Sequence, residues 1–271
     1  MPASDRPSRL PSVSIVVPTY NERESLASLV AEVVAVWRAA GIEGEIIVVD
    51  DASPDGTGDE AERLTASYPV QVVHRPAKLG LGSAVIAGFG VARHEIMGVM
   101  DGDFSHPPAK IVDLLAPFAD ERIDFVIGSR YVAGGGTEHW SPARLWLSRL
   151  ACWLSRPLTP VRDGSSGFFL VRRHVPEHVE IKAGGFKICL ELLVRGRARL
   201  VTEVPYVFAG RTTGTSKLNM LEALGYLKQL VDLFRYQRFD RRGSAPAYRP
   251  PSPTIPGMVS DTPAAGRSRP S

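Results

Sequence analysis

The chain has 271 residues, of which 44% are hydrophobic and 23% charged, with a formal net charge of +3. That is an ordinary globular composition, large enough for one α/β domain, and its charge is too small and too evenly spread to argue for a nucleic-acid partner. No run reaches the ~18 apolar residues of a membrane span, and Met1–Pro11 lacks a leader's apolar core.

A cytoplasmic protein is therefore expected, with Cys152 and Cys189 as buried free thiols and residues 1–11 flexible. Val13 to Val17 reads as a buried strand stopped by Pro18, followed by the loop Thr19-Tyr20-Asn21-Glu22. From Glu24 to Ala39, Leu26, Leu29, Val30, Val33, Val34 and Trp37 recur at helical spacing, and Gly41 ends the helix. Glu45 to Val49 is the next strand and runs into Asp50-Asp51. The turn Ser53 to Thr57 starts a helix to about Ser67, and Val70 to His74 is a strand. Lys78-Leu79-Gly80-Leu81-Gly82 leads into a helix through Ala92. This glycine loop partly mimics a dinucleotide fingerprint, but Val85 stands where the third glycine belongs, and Lys78 reads better as a cation facing an anion.

Ile96 to Met100 is a short apolar strand that runs straight into Asp101-Gly102-Asp103. Asp101 falls at the strand's carboxyl end, where open α/β sheets place ligands, and Gly102 lets both carboxylates turn toward one hard cation such as Mg²⁺ or Mn²⁺. The same tripeptide also suits a plain turn. His106, ahead of Pro107-Pro108, fits either a metal ligand or a loop-closing residue. Asp124 to Ile127 is a further strand, ending at Gly128-Ser129-Arg130. Strands alternating with helices predict βαβ units and a mostly parallel sheet. Glu22, Asp50 and Asp51, and Asp101 and Asp103 then share one crevice at the sheet edge.

Tyr131 to Ser141 reads as a glycine-rich loop and Pro142 to Leu158 as an amphipathic helix. Trp146, Leu147, Leu150, Trp153 and Leu154 share one face of it, and Arg144 stands one turn below Ser148. Asp163 lies in a Gly/Ser turn, where capping is its bland role, before a strand Phe168 to Val171. Phe186 to Val194 is helical, with Glu191 as a helix-surface or cap-bonding residue, and Val201 to Phe208 is a strand. Asn219 to about Phe239 is a second amphipathic helix, with Met220, Leu224, Leu227, Leu230, Val231 and Phe234 on one face. Lys228, Asp232 and Arg235 lie opposite. Both helices suit either a membrane interface or the protein core. Residues 241–271 are Pro, Ser, Ala and Arg without periodicity and are expected to be disordered.

Taken together, Val16 to Glu22, Val48 to Thr57, Lys78 to Gly82, Asp101 to Pro108, Gly128 to Tyr131, Asp163 to Phe169 and Gly214 to Leu218 resemble the family 2 GT-A glycosyltransferases. They are most similar to the branch that mannosylates dolichol phosphate and other polyprenol phosphates. The resemblance implies a GT-A (Rossmann-like), mostly parallel sheet flanked by helices, a catalytic domain over residues 12–240, and C-terminal amphipathic interface helices. It implies that Pro18, Tyr20, Glu22, Val49 and Asp51 hold the nucleoside of GDP-mannose, that Gly102 lies against the donor, and that Asp101 and Asp103 hold Mg²⁺ or Mn²⁺. Ser105 stands where many relatives have a metal-ligating Gln; Gly102 is usually Ala. Arg130, Arg144 and Ser148 match acceptor-phosphate positions, and Arg211 and Lys217 a loop over the donor. The implied reaction is inverting mannosyl transfer to a polyprenyl phosphate on the cytoplasmic face of a membrane, with a separate anchoring protein possible. A UDP-glucose transferase or a non-catalytic nucleotide-sugar-binding subunit are the alternatives.

Overall fold

A computed structural model describes residues 10–177, 179, 187–210, 220–240 and 245–251. Arg211 and Lys217 lie outside them. In chain order the first half alternates β1 (Val13–Thr19), α1 (Arg23–Ala40), β2 (Gly44–Asp50), α2 (Thr57–Leu64), β3 (Val70–His74), α3 (Leu81–Val91) and β4 (Ile96–Val99). Then come α4 (Lys110–Leu115), β5 (Phe125–Ser129), β6 (Gly136–Thr137), α5 (Pro142–Leu154), β7 (Phe169–Arg172), α6 (Ile188–Arg195), β8 (Leu200–Pro205), β9 (Val207–Phe208), α7 (Met220–Arg235) and β10 (Ala247–Arg249).

Among the described residues, eight strands form one sheet in the order β10-β8-β5-β7-β4-β1-β2-β3, parallel except for β7. Successive strand residues serve opposite faces. Val13, Ile15 and Val17, with Ile46 and Val48, meet the six predicted apolar residues of α1. Val16, Ile47, Val49, Met97 and Val99 face α3 and α6 on the other side. This double burial explains why these strands are almost unbroken apolar runs. Gly88 lets α3 press onto the sheet, since a Cβ there would lie 2.5 Å from Val16 Cγ1.

The parallel order β4-β1-β2 puts three carboxyl ends side by side, as the alternation implied. Pro18 does not stop β1; it lies inside the strand, opposite Val49. β4 has already ended its pairing at Val16–Val99, so the missing N–H costs no bond on that side.

Several expectations change. Residues 201–208 break into β8 and β9 because Tyr206 turns inward and its N–H bonds Ser129. The loop 131–141 contains β6, which pairs with β9. The helix α4, absent from the sequence reading, buries Ile111, Leu114 and Leu115. α5 ends at Leu154, three residues before Pro157, and leaves Trp146, Leu147 and Trp153 exposed. On α7 the apolar residues divide: Tyr226, Leu230 and Leu233 pack inward, while Leu224, Leu227, Val231 and Phe234 form an outer stripe. The tail expected to be disordered adds β10 to the sheet edge, because Tyr248 packs on the core and its hydroxyl donates to Glu203 at 2.8 Å. Among the described residues, no helix is long and apolar enough to cross a membrane.

Candidate active site

The site is assembled from the loops that leave β1, β2 and β4. Each contains a non-glycine residue in the left-handed region: Asn21 (φ 62), Ala52 (φ 58) and Phe104 (φ 61). Such backbone is strained for Ala and Phe, and strain of this kind gathers at functional sites.

After β4, Asp101 is partly exposed, with 31% of its side chain accessible, and Asp103 is buried. The Ser105 N–H and hydroxyl both donate to Asp103 Oδ1. Ser105 is itself wholly buried, and both these bonds go to Asp103. His106 is also buried, stacked on Phe168 at 4.9 Å and edge-on to Tyr206 and Phe208. Its Nδ1 accepts the Asp101 N–H, a bond that closes the loop. Burial pushes its pKa down, against the pull of Asp101 and Asp103. The Gly102 carbonyl accepts from Ser25, whose hydroxyl also reaches Glu22. A Cβ at Gly102 would meet Glu22 and Thr19 only at ordinary contact distances, so the site has room for an alanine.

Among the described residues no third His, Cys, Asp or Glu completes a metal cluster. Two carboxylates, one of them open to solvent, nevertheless suit a Mg²⁺ or Mn²⁺ ion that takes its other ligands from phosphates and water. The donor set therefore fits the implied metal.

The loops after β1 and β2 bring the expected donor residues together. Lys78 Nζ stands 3.6 Å over the centroid of the Tyr20 ring. Glu22 N–H donates to Thr57. Asp51 accepts the Gly80 N–H at 2.9 Å and a 2.5 Å bond from Arg75. The Gly80 amide is thus spent on a carboxylate, which removes the remaining case for a dinucleotide loop. Arg75 was missed, although its position one residue past β3 was legible at the same edge. The Val49 side chain is wholly buried in the core, which leaves its backbone as the part that faces the crevice edge. It positions Asp50 and Asp51.

Beyond β5, Arg130 is buried, and Asp163 accepts from it at three points: N (3.0 Å), Nε (2.7 Å) and Nη2 (2.7 Å). Burial alone would raise the Asp163 pKa, but the Arg130 charge and hydrogen bonds outweigh it and hold it below the usual carboxylate value. Among the described residues no hydrogen bond engages Arg130 Nη1. The Trp140 ring lies 5.3 Å from the Arg130 guanidinium and 4.1 Å from that of Arg144, so one indole gathers both cations. Tyr131, also beside Arg130, donates to Ser148 at 2.7 Å. The three residues matched to an acceptor phosphate thus converge through two aromatic side chains that the sequence reading did not single out. The Phe208 ring links the two halves of the site: it lies 5.8 Å from His106, 5.2 Å from Trp140 and 5.9 Å from the Arg130 guanidinium.

A family model described as glycosyl transferase family 2 matches residues 14–179. A dolichol-phosphate mannosyltransferase of Pyrococcus furiosus is 41% identical over 83% of this chain; the chain spans 64% of that relative's length. A polyprenol monophosphomannose synthase of Mycolicibacterium smegmatis is 40% identical over 82% of this chain and 87% of its own. A solved mannosyltransferase from Pyrobaculum calidifontis, in complex with GDP-Man and Mn²⁺, shares the fold with a TM-score of 0.59 at 20% identity, covering 89% of this chain and 67% of its own.

Proposed function

The chain belongs to glycosyl transferase family 2, and from that premise we propose that it transfers mannose from GDP-mannose to the phosphate of a polyprenol, with inversion at the anomeric carbon. The observation that carries this reading is that the Phe208 ring joins two groups: it packs edge-on to His106, which closes the Asp101–Asp103 loop, and it also meets Trp140 and Arg130 of the Arg130–Trp140–Arg144 cluster. One half suits a nucleotide diphosphate and its metal; the other suits a second phosphate.

A Mg²⁺ or Mn²⁺ ion held by Asp101 and Asp103 would offset the charge that grows on the leaving nucleoside diphosphate. Tyr20 and Lys78 form one wall for the donor, and Glu22, Gly102 and Asp51 another. The acceptor phosphate is already largely anionic at neutral pH, its second pKa being near ~6. It needs a clamp and not a strong base. Guanidinium forks bind phosphate in a fixed geometry, and Arg130 is pre-set by Asp163 with Nη1 unspent among the described residues.

The polyprenyl tail stays in a bilayer, so the protein has to meet the membrane. The exposed stripe of α7 and the outer residues of α5 suit an interfacial position. A donor screen with polyprenyl phosphate, Mg²⁺ or Mn²⁺, and radiolabelled GDP-mannose or UDP-glucose tests the proposal. Lipid-extractable label from GDP-mannose alone is expected. Label from UDP-glucose would overturn the donor assignment, and ion-dependent nucleotide binding without transfer would mark a binding subunit.

A further inference from the structure

Resting on the reading of Arg130 as an acceptor-phosphate residue, we propose that the C-terminal strand β10 is a positioning element for that clamp, acting from Tyr248 through Glu203 and Asp163. The strand is fixed on both flanks. It pairs in parallel with β8, the Ala247 N–H donates to Arg199, and Arg249 bonds Asp120 at 2.9 Å. That registry delivers the Tyr248 hydroxyl to Glu203 Oε2 at 2.8 Å. Burial and the adjacent Glu203 carboxylate push the phenol's pKa up, so the hydroxyl stays a donor.

Glu203 is 1% exposed. A carboxylate so placed needs donors on both oxygens. Two of them are backbone amides of one loop: Arg162 N–H reaches Oε2 at 2.9 Å and Asp163 N–H reaches Oε1 at 3.0 Å. Glu203 therefore holds the peptide that carries Asp163, and the Asp163 carboxylate holds Arg130. Tyr248 adds a second donor to Oε2 and orients Glu203 toward the loop. Neither Tyr248 nor Glu203 is placed to touch substrate. Their effect is to aim a guanidinium whose Nη1, without a hydrogen bond among the described residues, would meet a phosphate oxygen.

The test is steady-state kinetics on three full-length variants and a chain ending at Ser244. Tyr248→Phe deletes one hydroxyl and keeps the ring that packs on the core. It is expected to raise KM for polyprenyl phosphate roughly three- to tenfold, the worth of one hydrogen bond, with KM for GDP-mannose and the melting temperature unchanged. Glu203→Gln and the shortened chain are expected to do the same more strongly, and Arg130→Ala most strongly. Arg130→Ala raising the acceptor KM while Tyr248→Phe does not would overturn the inference alone. Arg130→Ala without effect on the acceptor KM would overturn the clamp and the inference with it. A Tyr248→Phe protein that loses donor and acceptor affinity equally, with a lowered melt, would also overturn it, since the strand would then be scaffold only.

Discussion

His106 Nδ1 accepts the backbone N–H of Asp101 at 2.9 Å, while its Nε2 lies 3.8 Å from the carboxylate of the same residue. An acceptor at Nδ1 assigns the ring proton to Nε2, on the side of the carboxylate. The ring thereby folds the loop back on itself and leaves Asp101 facing the crevice. Gly167 leaves room for this: a Cβ there would stand 3.3 Å from the imidazole and 3.4 Å from Asp101 Oδ1.

Asp101→Asn is expected to cut transfer by ~10² or more, because it removes charge that would hold the metal against the leaving diphosphate. Its partial exposure means that little folding energy goes with it. Unchanged melting with lost turnover is the expected pair of results; a melt lowered by many degrees would make the carboxylate structural.

Two glycines four residues apart should respond oppositely. Gly102→Ala meets nothing closer than 3.4 Å and is expected to keep full activity and stability. Gly98→Ala places a Cβ 2.3 Å from Leu170 Cδ2 and 2.5 Å from Ile15 Cδ1, inside the central sheet. Overpacking of that kind costs about 1–3 kcal/mol. Paired thermal melts read the difference directly.

Acid should unfold the protein through buried carboxylates. Asp163 has a depressed pKa: burial raises it, and the Arg130 charge and hydrogen bonds more than reverse that. Asp124 and Glu45 are also lowered, by Arg199 and by Ser14 and Arg93, each against burial. A depressed carboxylate stabilises the fold above the unfolded value of about 4 and loses that contribution as pH falls through the folded one. Stability is therefore expected to be flat near neutrality and to drop below about pH 4. Asp163→Asn should lower it by about 3–5 kcal/mol at pH 7, since Arg130 is left buried without its counter-charge, and should flatten the acid limb. Denaturant melts between pH 3 and 7 measure both.

Trp146 and Trp153 are 63% and 68% exposed on α5. If that face enters a bilayer interface, Trp146→Ser with Trp153→Ser should weaken sedimentation with anionic vesicles by roughly tenfold or more, at an unchanged melting temperature. Unaltered sedimentation would assign membrane contact to other residues or to a separate anchoring protein.

The sheet was legible because its central strands are buried on both faces and its helices carry one apolar stripe, two patterns that local sequence displays. Asp101, Asp103, Glu22 and Asp51 followed, because residue order places them at strand ends. Arg130 was visible as a strand-end cation, but its partner Asp163 lies 33 positions away and reads locally as a turn residue. Ser105 and Val49 were matched to ligands by resemblance; that both side chains are buried could be read only from the fold. In the tail, composition pointed to disorder; a three-residue strand pairs there because β8 offers an open edge and Glu203 Oε2 accepts a second donor, neither of which is written in residues 245–251.

Periodicity and residue order by themselves determined the α/β alternation, the crevice edge and the acidic pair, since each depends on neighbours within a few residues. Only the tertiary structure decided which arginine is pre-set for an anion, which face of α7 meets solvent and that the tail joins the sheet. Those outcomes depend on who is buried beside whom, and burial is a property of the assembled chain.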